Sequence, residues 1–346
     1  MKYFKIFFAI VVISCATLLF YEYLVRQPKE TNSIDKSKSS EDSNVLKFQK
    51  FVSKADNTFK VADNNEIPFD DLINKHCKVE IIKNVSRWCL RMLQKYDLNK
   101  LIVETESKSS DENDNKINYH TYWQPDTVKP HHKYVMNLNV LSFLATQNRK
   151  RTKYTVWTTQ SLNVFSELMV TYDKYVKQGV LEFRVLDLKQ LCSVGAFLSD
   201  QKKCEQTGGG GNIIMYSDFV RFLVLNTYGG IYIDGDVIFL RDMKPFWYRN
   251  FVYRWSFTDW YNTAIMGFRK NHGVHVEKLY KTIIGQHGSL VSGFYPLHVK
   301  DVVAGLSNGN IYHYEDLEVF SSVLFDPAWL CFVSRFFLIH FSCYIN

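Results

Sequence analysis

No dense run of Lys and Arg interleaved with aromatic residues occurs in the 346 residues, although the formal charge is +7. The cations are scattered, so the pattern of a protein that tracks a phosphate backbone is missing and nucleic acid is not an expected partner. No CxxC pair occurs, which removes the usual spacing of a structural zinc site. No internal repeat of fixed period is visible, which argues against a repeat array. What the chain does have is 46% hydrophobic residues, enough for one or two substantial cores.

The amino terminus carries Lys2 and Lys5, then an apolar run from Ile6 to Tyr21, with Leu24 and Val25 beyond Glu22. A span of about 18 residues matches the roughly 27 Å core of early secretory membranes. No small-residue cleavage site follows the run, since Ser14, Cys15 and Ala16 lie inside it, which favours a retained anchor over a cleaved signal peptide. Lys2 and Lys5 favour a cytoplasmic N-terminus, although Arg26 and Lys29 reduce the charge asymmetry. Residues 27–44 are polar and lack an apolar period, as in a flexible stem. The expected organisation is a tail over 1–5, a transmembrane anchor over 6–25, a stem over 26–60 and a globular domain over 61–330. The segment 331–346 matches no recognised pattern.

Cys15 falls in the anchor, leaving Cys77, Cys89, Cys192, Cys204, Cys331 and Cys343. The equal spacings of Cys77 to Cys89 and Cys192 to Cys204 suggest two local bridges in an oxidising compartment, although six cysteines allow fifteen connectivities. In a lumenal domain Asn84-Val85-Ser86 is a usable N-glycosylation sequon.

Past a polar loop at 104–116, Tyr134 to Leu144 is apolar enough for a buried helix or strand. YTVWT at Tyr154–Thr158 and LEFRVL at Leu181–Leu186 predict strands, with a helix over Leu162–Val176 between them. This alternation predicts an α/β layer with a mainly parallel sheet. Gly208 to Gly211 form a break. Asn212 to Thr227 predicts a helix with Tyr216, Val220, Leu223 and Thr227 on one core-facing stripe, and Asp218 and Arg221 on the opposite, exposed face. Gly229 and Gly230 stop it, and a strand beginning IYID follows.

Within SDFVRFLVLNTYGGIYIDGDVIFL, Asp234 and Asp236 interrupt two apolar strand halves. Two carboxylates two residues apart repel, and partial burial raises that cost unless a cation neutralises them. Oxygen ligands suit Mn2+ or Mg2+, which often use one or two carboxylates and complete their shell with water and phosphates. Gly235 would let the backbone turn and keep the approach open. A solvated turn at a strand end, beside a simple Asp218–Arg221 ion pair, would explain each part alone. It does not explain why helix, Gly-Gly, strand and acidic pair occur together.

This ordered block resembles the DXD signature of the glycosyltransferases that include lactosylceramide 4-alpha-galactosyltransferase, alpha-1,4-N-acetylglucosaminyltransferase and the yeast initiating alpha-1,6-mannosyltransferase. The matching residues are Ser217-Asp218, Arg221, Gly229-Gly230-Ile231-Tyr232, Asp234 and Asp236, with weaker similarity from about Ser142 to Pro327. The resemblance implies a GT-A fold, Rossmann-like, with a mainly parallel sheet flanked by helices. It also implies a nucleotide-sugar donor, most simply a UDP-sugar, manganese, and an alpha-linking transfer of a hexose with retention. It assigns Asp234 and Asp236 to metal and diphosphate, Asp218 and Arg221 to the donor sugar or its phosphate, and Tyr232 to a place near the nucleotide. Gly229 and Gly230 would shape the loop, and Asn262, after Arg254-Trp255, would face the transferred sugar. The acceptor would be a glycolipid or glycoprotein glycan, and the anchor and stem suit a type II Golgi membrane enzyme. No nucleophile is identified. Asp259 is a candidate by proximity alone, and His298, in SGFYPLH, is a candidate from a later loop, although a lone His is more often structural. The alternatives are an inactive carbohydrate-binding protein on the same fold and a metal-dependent phosphohydrolase, which would need further His or Asp ligands that the sequence does not gather.

Overall fold

β-branched and aromatic residues dominate INYHTY at Ile117–Tyr122 (β1) and TKYTVWT at Thr152–Thr158 (β2), and the two runs pair in parallel from Ile117–Thr152 to Tyr122–Trp157. Parallel neighbours need a long crossover, supplied by the helix His131–Thr146 (α1). The computed structural model describes residues 43–50, 77–78, 89, 116–124, 131–207, 213–254, 261–270, 317–325 and 338–340. All fall in the unit Ser43–Asn346.

β3 (Leu181–Val185) extends the sheet in parallel beyond β2, and β4 (Gly230–Ile233) joins the other side of β1, also in parallel. β5 (Val237–Phe239) leaves this sheet to pair antiparallel with β9 (Leu338–His340). β7 (Tyr261–Phe268) runs antiparallel between β4 and β6 (Phe251–Arg254), and β8 (Glu318–Ser321) lies parallel to β6 at the edge. The order is β3-β2-β1-β4-β7-β6-β8. The fold is therefore α/β with a mixed, mainly parallel sheet. The strands predicted at 154–158 and 181–186 are β2 and β3.

Alternating side chains of the sheet feed two cores. On one face Tyr119, Tyr154 and Phe239 pack with Phe143 of α1, with ring centroids 4.5–6.1 Å apart. On the other, Tyr122, Trp157, Tyr232 and Met266 pack with the helix Ile213–Tyr228 (α2). Here the structure corrects the expected exposed face of α2. Phe219, Val220, Phe222, Leu223, Val224 and Leu225 are all at most 3% exposed, and Arg221 is 5% exposed. Leu191, Cys192, Phe197 and Cys204, from the segment 188–207, belong to the same core, and Asn226 Nδ2 donates to Val194 O at 2.9 Å. A helix apolar on nearly all sides is buried on all sides.

The helix predicted over 162–176 is broken into Leu162–Phe165, Ser166–Thr171 and Asp173–Lys177. Tyr172 interrupts it with φ −114°, because its ring is buried and its hydroxyl donates to Asn137 Oδ1 of α1 at 2.7 Å. Disulfides join Cys77 to Cys89 and Cys192 to Cys204, the two pairings the spacing suggested. Residues 43–50, expected in the stem, instead form a helix with Val45 and Phe48 buried and Gln49 Nε2 donating to Ala145 O at 2.8 Å. No helix among the described residues is long and apolar enough to cross a membrane. The expected anchor at 6–25, the sequon at Asn84, Gly208–Gly211, Cys331 and Cys343 lie outside the described residues.

Beneath α2, His120 is 2% exposed. Trp157 Nε1 donates to its Nδ1 at 3.2 Å, which leaves Nε2 to donate to Gly229 O at 3.0 Å. Burial pulls the His120 pKa down to about 4, against the Gly229 carbonyl and with help from Lys153 and Arg184. A lowered folded pKa means that the unfolded chain takes up the proton first, near 6.5. The stabilisation is therefore complete above about pH 6.5 and is lost as pH falls towards 4, amounting to about 3 kcal/mol. Urea unfolding between pH 7.5 and 4.5 is expected to show this acid-side loss, and His120→Gln to flatten it. An unchanged slope in the variant would refute the assignment.

Candidate functional site

β4 delivers Asp234 at its C-terminal end, where Asp234 N still donates to Ala264 O of β7 at 2.8 Å. The next residues turn sharply, closed by Val237 N donating to Asp234 O at 3.1 Å. The two apolar halves around the acidic pair are thus separate strands in separate sheets, and the turn between them carries both carboxylates. Gly235 has a different reason from the expected one. A Cβ there would lie 2.5 Å from Trp123 Cε3 and 3.0 Å from its Cζ3, so glycine is required because Trp123 covers the turn.

Arg221 of α2 reaches this turn from the side. Its Nη2 lies 2.8 Å from Asp218 Oδ1 and 3.3 Å from Asp234 Oδ1, and Nη1 donates to Thr263 Oγ1 of β7 at 2.8 Å. Nε donates to Ser217 O at 3.4 Å, and the guanidinium stands 5.1 Å over the Tyr232 ring. The side chain of Arg221 is only 7% exposed, against 17% for Asp218 and 22% for Asp234, so the acids face outwards from a buried cation. Burial alone would lower the Arg221 pKa, but Asp234 and then Asp218 hold it above its ordinary value. Burial lifts the Asp218 carboxyl, and Arg221 opposes that lift. Such a group is positioned to hold two carboxylates apart in fixed geometry.

The chain passes from β1 outward to β2 and β3, then returns to the other side of β1 as β4. In open α/β sheets the crevice for a ligand opens beyond the carboxyl ends of the strands at such a reversal. Asp234 stands there with Trp123, which follows β1. Beside them Tyr122 Oη donates to Gln124 Oε1 at 2.8 Å, Thr159 Oγ1 donates to the same oxygen at 3.3 Å, and the Tyr216 ring meets that of Tyr122 edge-on at 5.7 Å. Tyr122, Trp123, Gln124, Thr159, Asn139 and Thr263 were not singled out in the sequence. β1, which Trp123-Gln124 follow, was not among the strands predicted from the sequence, so no local signal pointed to them.

The other expected site residues divide. Asn262 lies on the same rim, its Oδ1 accepting from Ala264 N at 2.8 Å. Tyr232 is fully buried, with the Arg221 guanidinium over its ring. Burial, and then Asp234, raise its pKa well above the ordinary value. It supports the site from behind. Gly229 follows the last residue of α2 and Gly230 begins β4, roughly 13 Å along the strand from Asp234 at about 3.3 Å per residue. Their φ values are 64° and 103°, and a Cβ at Gly229 would lie 2.5 Å from Lys270 N. They terminate α2 and permit close packing at the opposite end of the strand. Trp255, Asp259 and His298 lie outside the described residues.

Among the described residues no group of three or more His, Cys, Asp and Glu gathers to hold a metal. The protein's contribution at the acidic turn would be the two carboxylates of Asp234 and Asp236. That donor set fits a hard divalent ion whose remaining positions are filled by water and phosphate oxygens.

Residues 38–252 match the model of a family described as a glycosyltransferase sugar-binding region containing a DXD motif. The match spans more than half of the chain, and the chain belongs to this glycosyltransferase family. DXD glycosyltransferases of this kind generally bind a divalent metal. Among solved structures, one described as PaToxG glycosyltransferase is 14% identical, over 61% of this chain and 76% of that one, with a TM-score of 0.39. No curated protein matches the chain.

Proposed function

We propose that the chain transfers a hexose from a UDP-sugar to a glycan acceptor, with Asp234 and Asp236 holding Mn2+ or Mg2+ on the donor diphosphate. The observation that carries this reading is the acidic turn at the carboxyl ends of β1 and β4, at the reversal of strand order. The same order, with β7 reversed between β4 and β6, supports a GT-A type of fold.

In this reading the acceptor oxygen forms a bond to the anomeric carbon as the bond from that carbon to the phosphate oxygen breaks. UDP departs, and its leaving phosphate oxygen takes the proton that the acceptor hydroxyl gives up. A bound divalent cation supplies Lewis-acid stabilisation of the charge that develops on the diphosphate. Arg221 acts through Asp218 and Asp234, since its nitrogens already meet Asp218, Asp234, Thr263 and the Ser217 carbonyl. Asp218, more exposed than the Arg221 it pairs with, is assigned to the donor sugar hydroxyls, with Asn262 on the same rim. Tyr122, Trp123, Gln124 and Thr159 form the wall on which the nucleoside would rest. Fixed dipoles and charges of this kind, set before the donor arrives, are where most of the rate would originate. Transfer with retention and an alpha linkage follows from the motif resemblance.

The apolar run at 6–25 and the two disulfides support a type II membrane protein with its catalytic domain in the Golgi lumen. One preparation of the full chain tests both parts. Incubation with UDP- and GDP-sugars should give turnover with a UDP-sugar that stops on adding a chelator, and endoglycosidase should shift its mobility unless Asn84 is changed to Gln. No turnover with any donor would sink the enzymatic reading.

A further inference from the structure

Asn139 sits in the middle of the 16-residue α1 with no exposed surface. An amide there has little intrinsic reason to exist, because Asn is a weak helix former and a buried amide without partners is costly. All of its polar ends are used. Nδ2 donates to Val237 O at 2.7 Å and to Asp234 O at 3.4 Å, while Oδ1 accepts from Tyr154 Oη at 2.5 Å. Two carbonyls can be met only by the NH2 end, so these partners fix which way the amide faces and leave Tyr154 to donate.

The two carbonyls are not arbitrary. They belong to the first and last residues of the turn Asp234-Gly235-Asp236-Val237, so one side chain grips both ends of the segment that carries the acidic pair. One helical turn further on, Ser142 Oγ donates to Asn139 O at 2.8 Å and accepts from Phe239 N at 3.0 Å, which fastens β5 just beyond. From the other side of the sheet, Arg221 holds the Asp234 side chain. The turn is thus held by its backbone from α1 and by its side chain from α2.

We propose that Asn139 is a positioning residue for the metal-binding turn, with Tyr154 fixing its amide, and that this clamp sets the separation of the Asp234 and Asp236 carboxylates before any cation arrives. The inference rests on the metal reading of the site given above. Partners that orient metal-binding groups without touching the metal typically contribute 10- to 100-fold to metal affinity. A clamp on the backbone of both ends is a stronger constraint than one on a single side chain.

The test is a Mn2+ titration of the full chain in the presence of UDP, read by loss of the free-ion electron paramagnetic resonance signal, beside thermal melting of the same samples. Asn139→Ala is expected to weaken Mn2+ binding about 10-fold or more. Tyr154→Phe, which keeps the ring packed on Phe143 and Phe239, should weaken it in the same direction by a smaller factor, with a loss of stability limited to that of one buried hydrogen bond. Phe143→Leu is the control, because it disturbs the same aromatic core without touching the turn. It should melt earlier with unchanged Mn2+ affinity. In transfer assays, Asn139→Ala should recover much of its kcat at high Mn2+, a split that a general loss of folded protein would not give. Mn2+ affinities within twofold of the parent in both Asn139→Ala and Tyr154→Phe would overturn the proposal while leaving the metal reading intact. A parent chain that binds no Mn2+ even with UDP would overturn both.

Discussion

Asp236→Asn is expected to lower transfer at least about 10²- to 10³-fold at Mn2+ concentrations that saturate the parent, the scale seen when one preorganised charge is taken from a reaction centre. The argument is one of supply. Among the described residues no third His, Cys, Asp or Glu joins the two carboxylates of the turn in a group that could hold a metal, so removing one halves the protein's share of the coordination. An amide oxygen can still ligate but carries no charge to offset a divalent ion beside a diphosphate. Asp234→Asn should lose as much activity and, in addition, stability, because Asp234 is one of the two acids around the buried Arg221. The pair of variants therefore separates the two duties. Steady-state transfer with a UDP-sugar, set beside melting curves, reads both, and Asp236→Asn keeping a tenth or more of the parent's rate would remove this residue from the metal site.

Local pattern made the elements around the acidic pair legible. The β-branched and aromatic content of β2 and β3, the glycines that end α2 at positive φ, and the apolar run into Asp234 all act within a few residues. The cysteine spacing of twelve was equally local, and both disulfides follow it. What could not be read is what depends on partners far along the chain. Asn139 meets the turn across about a hundred residues of sequence, and Thr263 meets Arg221 across 42. The expected exposed face of α2 fails for a related reason. A 3.6-residue stripe shows that one side is apolar, but the layer over the other side comes from 188–207, whose Cys192–Cys204 bridge helps to close it. The unbroken apolar run from Phe222 to Leu225 was the available signal that both sides are covered. Tyr232 and Gly229-Gly230 share the motif with Asp234 because one strand needs all of them. The strand separates their duties, packing at its start and under Arg221, chemistry at its end.

Arg221→Met is expected to destabilise the domain by about 3–5 kcal/mol and to abolish donor binding. Removing one partner of a buried ion pair leaves the other uncompensated. Here it would leave two acids, Asp218 and Asp234, converging on a gap beside Thr263 Oγ1. Lysine should not restore the site fully, because one ammonium at the end of a flexible stem cannot reproduce the fork that meets Asp218 and Asp234 through Nη2 and Thr263 through Nη1. Arg221→Lys should therefore retain more stability than Arg221→Met while donor affinity remains well below that of the parent. The decisive comparison is the double variant Arg221→Met with Asp218→Asn. If the cost of losing Arg221 is the two stranded carboxylates, neutralising one should recover part of the lost stability without recovering transfer. The coupling measured around that cycle should exceed about 1 kcal/mol. If instead the two losses simply add, Arg221 contributes by packing over Tyr232, and the hold on Asp234 is not what it supplies.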